Sequence, residues 1–261
     1  MLHDPKERTA LGAKLQAEYV GGMVPEAKTL VQESWRDFIY AEIWSRPGLD
    51  LRARFFISMA GAANVQHPHA MNAYIRGALM TTNATVAELR ETALHISVYT
   101  GWSQGSLFDA EVSKVVQDLG LADTPCTPIR AEGWDADVRQ QDGVASFKEH
   151  MLFGGPPPNS GVAYFEAGIL NFVFGEMWKR PGLDQRARRW LTLVGVGFSS
   201  ATTPIRSHVW SAMASGNATR DEMNEFVLQY AVHAGWPRGS VMQSAVLEQA
   251  SRVEEGLPFE A

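Results

Sequence analysis

The sequence predicts an all-α fold built twice over, and three observations predict it. Long segments recur at one fixed offset, helix-start signals stand at matching places in each copy, and no stretch alternates β-branched and polar residues as a strand would. The segment EIWSRPGLDLRAR (Glu42 to Arg54) recurs as EMWKRPGLDQRAR (Glu176 to Arg188). NATVAELRETALHISVYTGW (Asn83 to Trp102) recurs as NATRDEMNEFVLQYAVHAGW (Asn217 to Trp236). Both pairs are offset by 134, and that offset, run without gaps from Phe38/Phe172 to Val112/Val246, gives 25 identities in 75 positions.

Each helix can be placed from its ends. Pro47-Gly48 and Pro181-Gly182 are turn dipeptides, followed by Asp50 and Asp184, whose carboxylates suit N-cap positions. Thr85-x-x-Glu88 and Thr219-x-x-Glu222 each spell a capping box. Leu89, Ala93 and Ile96, or Met223, Val227 and Tyr230, then follow at helical spacing. Gly101 and Gly235 close those helices. Between the copies, the run from Gly154 to Gly161 carries three consecutive prolines and cannot continue a helix. The expected organisation is a first unit over 1–125 with an N-terminal helix, a connecting segment over 126–160, and a second unit over 161–261.

Composition narrows the function classes. With 261 residues, 45% of them apolar and 20% charged, the chain can bury a sizeable core. A net charge of −6 argues against a phosphate-binding surface, which needs clustered Lys and Arg, so nucleic acid is not an expected partner. No apolar run approaches the roughly 18–20 residues that span a bilayer, and the charged start MLHDPKERTALGAK does not read as a signal peptide, so a cytoplasmic protein without membrane contact is expected. Cys126, beside Pro125 and Pro128, is the sole cysteine; neither an internal disulfide nor a thiolate metal site can be built from it.

The pattern W-x-RPGLD-x-R-x-R, followed by a helix and then a threonine-capped helix ending V-Y-x-G, resembles the carboxymuconolactone decarboxylase family, whose relatives include the alkyl hydroperoxidase D-like proteins. The resemblance implies an all-helical homo-oligomer with pockets between packed helices, acting without a cofactor; a fused pair would behave as a pseudo-dimer. It also implies a motif of the form H-V-R-G-A-L. Here the copies read Tyr74-Ile75-Arg76-Gly77-Ala78-Leu79 and His208-Val209-Trp210-Ser211-Ala212-Met213. One copy keeps the arginine and the other the histidine. The C-x-x-C pair of the peroxidase branch would fall at His67 and Ala70, and at Ala201 and Pro204, so thiol peroxidase chemistry is excluded on residue grounds.

Residues kept in both copies read first as scaffold: Glu42/Glu176, Arg46/Arg180, Arg54/Arg188 and Glu91/Glu225 as caps and ion pairs, Trp44/Trp178 and Trp102/Trp236 as core anchors. The unmatched residues are better candidates for chemistry. Imidazole takes and returns a proton near neutral pH, which decarboxylation or enolate isomerisation requires. His208 and His233 are the catalytic candidates, with His67, His69 and His95 as further candidates in the first copy. Arg76, Tyr74, Trp178 and Trp210 are candidates for holding substrate, Arg76 through its planar fork on a carboxylate or phenolate. His67-Pro68-His69 with His95 could be read as nitrogen ligands, but no carboxylate stands at ligand spacing and the resemblance implies no metal. The expected working pocket is organised around His208 with His233 close by, the Tyr74 pocket being altered or closed. The function expected is a cofactor-independent decarboxylase, or related C–C lyase or isomerase, acting on a small cyclic or aromatic-derived carboxylic acid or phenolic compound. The alternative is a non-catalytic helical binding protein whose motif has decayed.

Overall fold

The computed structural model describes residues 3–22, 24–129, 135–153 and 156–260, and all regular structure among them is helical. Helix α1 (Pro5–Tyr19) and the short α2 (Leu30–Ser34) lead into a π-helix, Trp35–Trp44. Four helices follow: α3 (Leu51–Asn64), α4 (Pro68–Met80), α5 (Val86–Thr100) and α6 (Trp102–Asp118). Helix α7 (Ala136–Met151) precedes a second π-helix, Tyr164–Phe174, and a 3₁₀ turn, Met177–Lys179. Four helices then close the chain: α8 (Gln185–Ser199), α9 (Thr202–Ala214), α10 (Arg220–Ala234) and α11 (Trp236–Glu254). Helices α8 to α11 each begin 134 residues after α3 to α6, the offset found in the sequence.

The expected caps are in place. Asp50 and Asp184 each accept from the backbone N–H three residues on, at 2.7 Å. Thr85 and Thr219 each form a complete capping box with Glu88 and Glu222. Gly101 and Gly235 stand at φ values of 103° and 82°, a region open to glycine, and join α5 to α6 and α10 to α11 without an intervening loop.

The 126–160 stretch does more than connect. It contains α7, which packs against the second π-helix as α1 packs against the first. Both contacts depend on a glycine: a Cβ on Gly12 would lie 2.1 Å from the Arg36 carbonyl oxygen, and one on Gly143 would lie 1.8 Å from that of Leu170. Of the glycine- and proline-rich run, Gly154 and Gly155 lie outside the described residues, and Pro156 to Asn159 have no regular structure.

The two halves interlock. α3 packs on α8 and on α10, and α5 packs on α8, so the central layer alternates helices from each half. One core runs through both, from Phe55 and Ile57 to Leu193 and Phe226. Trp44 is buried in it, while Trp178 is buried in a smaller cluster with Met151, Phe174 and Met177. Trp102 and Trp236 are not core anchors: they are 59% and 54% exposed, at the starts of α6 and α11, with rings against Phe172 and Phe38.

Candidate active site

Cross-half ion pairs fix the central helices. Glu225 on α10 accepts from Arg46 at 2.6 Å and from Arg54 at 3.2 Å; Glu91 on α5 accepts from Arg180 at 2.7 Å and lies 4.0 Å from Arg188. Arg52 meets Asp184 at 2.7 Å and Arg186 meets Asp50 at 2.9 Å, so each half caps and neutralises the other. Arg54 and Arg188, 1% and 0% exposed, also donate to the carbonyls of Arg46 and Arg180, at 2.8 and 2.7 Å.

This interlocking brings the diverged residues together in two clusters, each drawing on both halves. In the first, the Tyr74 hydroxyl on α4 shares a 3.2 Å hydrogen bond with Nε2 of His233 on α10. The Tyr74 ring is stacked on Trp44 with centroids 5.7 Å apart, and His233 also meets Trp35 edge-on at 5.9 Å. Burial lowers His233 to about 4, with the nearby His67 adding to the effect, and the imidazole is therefore neutral at neutral pH. Burial also raises Tyr74 well above the ordinary phenol value, keeping its hydroxyl protonated.

Tyr74 forms part of the wall of a cavity of about 390 Å³ between the end of α1, residues 24–32 and α4. Val20, Val24, Val31, Trp35 and Tyr40 give it an apolar body, and Gln16, Glu26, Gln32, His67 and His69 supply polar groups. That composition, largely apolar with a few convergent polar groups, suits a small organic ligand. His67 has a structural task as well: it caps α4, its Nδ1 accepting from the Ala70 N–H at 3.1 Å.

In the second cluster, the His208 ring on α9 meets the Tyr99 ring on α5 edge-on at 5.7 Å. Tyr99 is stacked on His95 at 5.1 Å, and its hydroxyl accepts from the Trp178 indole at 2.9 Å. His95 Nε2 shares a 2.7 Å hydrogen bond with the Thr192 hydroxyl. Burial, and the charge of Arg189, lower His208 to about 3; burial lowers His95 well below the usual imidazole range. The two clusters correspond position by position at the 134-residue offset: Gln229 donates to Ser58 at 2.9 Å where His95 meets Thr192.

Several expectations require correction. His208 and His233 do not share a pocket: His208 on α9 meets Tyr99 of α5, while His233 on α10 meets Tyr74 of α4, so the two imidazoles have different aromatic partners. The Tyr74 pocket is not closed, since it borders the 390 Å³ cavity. Arg76 does not line the Tyr74 cavity; it pairs with Asp118 on α6 at 3.1 Å, partly exposed. Trp210 is buried away from the His208–Tyr99 contact, against Phe153 and Phe259, whereas Trp178 is part of the second cluster. His67 and His69 lie together at the cavity, ring centroids 6.4 Å apart, while His95 belongs to the other cluster, so the three do not converge.

Arg189 and Thr192 on α8, and Trp35 on the first π-helix, were not among the expected site residues. A signal for Arg189 exists in the sequence: the first half has Phe55 at the matching position, the same kind of divergence that singled out the histidines.

One stretch of these helices matches a known family. Residues 29–106 match the carboxymuconolactone decarboxylase family. The matched segment spans α2 to the start of α6, and carries Trp35, Tyr40, His67, His69 and Tyr74 of the cavity as well as His95 and Tyr99 of the second cluster. Over 73 residues the chain is 32% identical to a 4-carboxymuconolactone decarboxylase of Acinetobacter baylyi, covering 28% of this chain and 54% of that protein. Over 81 residues it is 33% identical to a nitrosuccinic acid decarboxylase of Metarhizium robertsii, covering 31% of this chain and 54% of that protein. The chain thus spans about half the length of these relatives. Both are named as decarboxylases.

Proposed function

We propose that this chain is a cofactor-independent decarboxylase-like lyase that acts on a small cyclic or aromatic-derived carboxylic acid or phenolic compound by histidine-assisted proton transfer, with Tyr74 and His233 as its proton-transfer pair. One observation carries the reading: a buried tyrosine hydroxyl, hydrogen-bonded at 3.2 Å to a neutral imidazole, forms part of the wall of a cavity large enough for a small organic acid. The decarboxylase relatives support the reaction class, and the matched segment supplies nine of the fifteen residues lining that cavity. The reading treats the halves as a tandem duplication in which the two pockets have diverged, supported by the common 134-residue offset of sequence and helices.

In this proposal the substrate's apolar body rests against Trp35, Tyr40 and the valines, and its carboxylate meets the imidazole N–H groups of His67 and His69. An apolar wall favours loss of CO₂, because it destabilises the localised carboxylate charge more than the delocalised charge that follows. The C–CO₂ bonding pair passes to carbon and into an adjacent carbonyl or nitro group. The Tyr74 hydroxyl then donates its proton to that carbon. His233 returns a proton to the phenolate through Nε2 while taking one from solvent at its other ring nitrogen.

The test is CO₂ release from 4-carboxymuconolactone and from nitrosuccinate by purified protein. Positioned acid–base groups contribute about 10²–10⁴ in rate, so His233→Gln is expected to lower kcat by that order with the helical signal and thermal midpoint within a few degrees of wild type. A His233→Gln protein of full activity would remove this histidine from the mechanism.

A further inference from the structure

Three arginines of the central helices are almost fully buried, and they differ in how their charge is met. Arg54 has the Glu225 carboxylate at 3.2 Å and Arg188 has that of Glu91 at 4.0 Å; both stand at positions where the two halves agree. Arg189 is 1% exposed and has no carboxylate within ion-pair distance among the described residues. Its Nη2 donates to the His150 carbonyl, its Nε to the Asn217 side-chain oxygen at 3.2 Å, and its guanidinium lies over the Trp178 ring at 4.9 Å. Nη1 is buried with no partner. A buried cation met only by neutral acceptors is an unfavourable arrangement, and the matching residue of the first half, Phe55, shows that the fold accepts an apolar side chain at this position.

The surroundings are those of a ligand site rather than of a structural ion pair. His208 holds a buried Nδ1 with no partner. The rings of His95, Tyr99, Trp178 and His208 form one chain of contacts between 5.1 and 5.7 Å. A guanidinium fork, an imidazole able to donate and planar apolar faces together match a planar carboxylate.

We propose that the Arg189–His208 cluster is a second binding site, taking a small planar organic carboxylate whose charge neutralises Arg189. The site is separate from the Tyr74 cavity and does not depend on the decarboxylase reading, because binding rather than turnover reports on it.

The test is titration calorimetry, with thermal midpoints, using benzoate as probe and sodium chloride at equal ionic strength as control. Wild type is expected to bind benzoate with a rise in midpoint that chloride does not reproduce. Arg189→Phe should weaken binding at least tenfold while the unliganded variant is as stable as wild type or more so, which a merely structural arginine would not allow. Tyr74→Phe should change the affinity less than twofold. Should Arg189→Phe fail to fold, His208→Gln and Arg189→Lys serve instead, each expected to weaken binding at least threefold. The proposal is overturned if benzoate does not bind wild type, if these variants retain full affinity, if chloride matches benzoate, or if Tyr74→Phe is the variant that loses binding.

Discussion

Replacing Glu225 by Gln tests whether cross-half ion pairs hold this architecture together. Glu225 accepts two hydrogen bonds from Arg46 Nε at 2.8 and 2.9 Å, one from Arg46 Nη2 at 2.6 Å and one from Arg54 at 3.2 Å. Burial acts to raise its pKa, but the bonds from Arg46 and Arg54 outweigh that and hold the carboxyl below its usual value of 4.5. Arg46 is 35% exposed, so water can replace much of what it loses, and its share resembles a surface pair, about 0–1 kcal/mol. Arg54 is 1% exposed and would keep only neutral acceptors, Gln229 at 2.9 Å and the Arg46 carbonyl at 2.8 Å. Breaking a buried pair from one side costs about 3–5 kcal/mol. At roughly 2–4 °C per kcal/mol for a chain approaching this size, the midpoint should fall by roughly 6–20 °C. Thermal melts followed by circular dichroism would measure the midpoint, and urea titrations the free energy. A loss below about 1 kcal/mol, or an Arg54→Met/Glu225→Met double variant whose loss is the plain sum of the single ones, would refute the reasoning.

Other outcomes follow from the same geometry. His233 and His208 are held near 4 and 3 in the folded state against 6.5 unfolded, so the unfolded chain binds more protons below 6.5; stability should fall as pH drops from about 6.5 toward 3, and His208→Gln should flatten part of that fall in urea midpoints taken across the window. Glu225, lowered rather than raised, adds a further loss as pH drops below 4.5. Arg76→Ala, which removes only a partly exposed pair with Asp118, should change stability by less than about 1 kcal/mol and leave CO₂ release unchanged. Cys126→Ser should leave function intact, and the wild type should show no thiol peroxidase turnover, since burial raises this thiol and no second cysteine exists to resolve a sulfenate.

The helices were legible because their signals are local. Asp50, Thr85, Asp184 and Thr219 cap the helices they precede, and the offset between Glu42–Trp102 and Glu176–Trp236 places the four-helix sets in register. Local signals do not say which helix of one half faces which helix of the other. His208 and His233 therefore read as neighbours within one half, whereas α5 packs on α8 and α10 on α3, and each histidine meets a tyrosine from the opposite half, Tyr99 and Tyr74. Arg76 was misplaced for a related reason: its motif position suggested a pocket, while the helix turns it toward Asp118 on α6. The π-helical segments, Trp35–Trp44 and Tyr164–Phe174, depend on packing against α1 and α7 and have no sequence signature comparable to a capping box.

The central claim is that proton transfer takes place at Tyr74, beside the open cavity, and not at His208. Parallel measurement of kcat for CO₂ release by Tyr74→Phe and His208→Gln tests it most directly. The account predicts a loss of about 10²–10⁴ for Tyr74→Phe and less than tenfold for His208→Gln. A larger loss for His208→Gln, with Tyr74→Phe close to wild type, would contradict it.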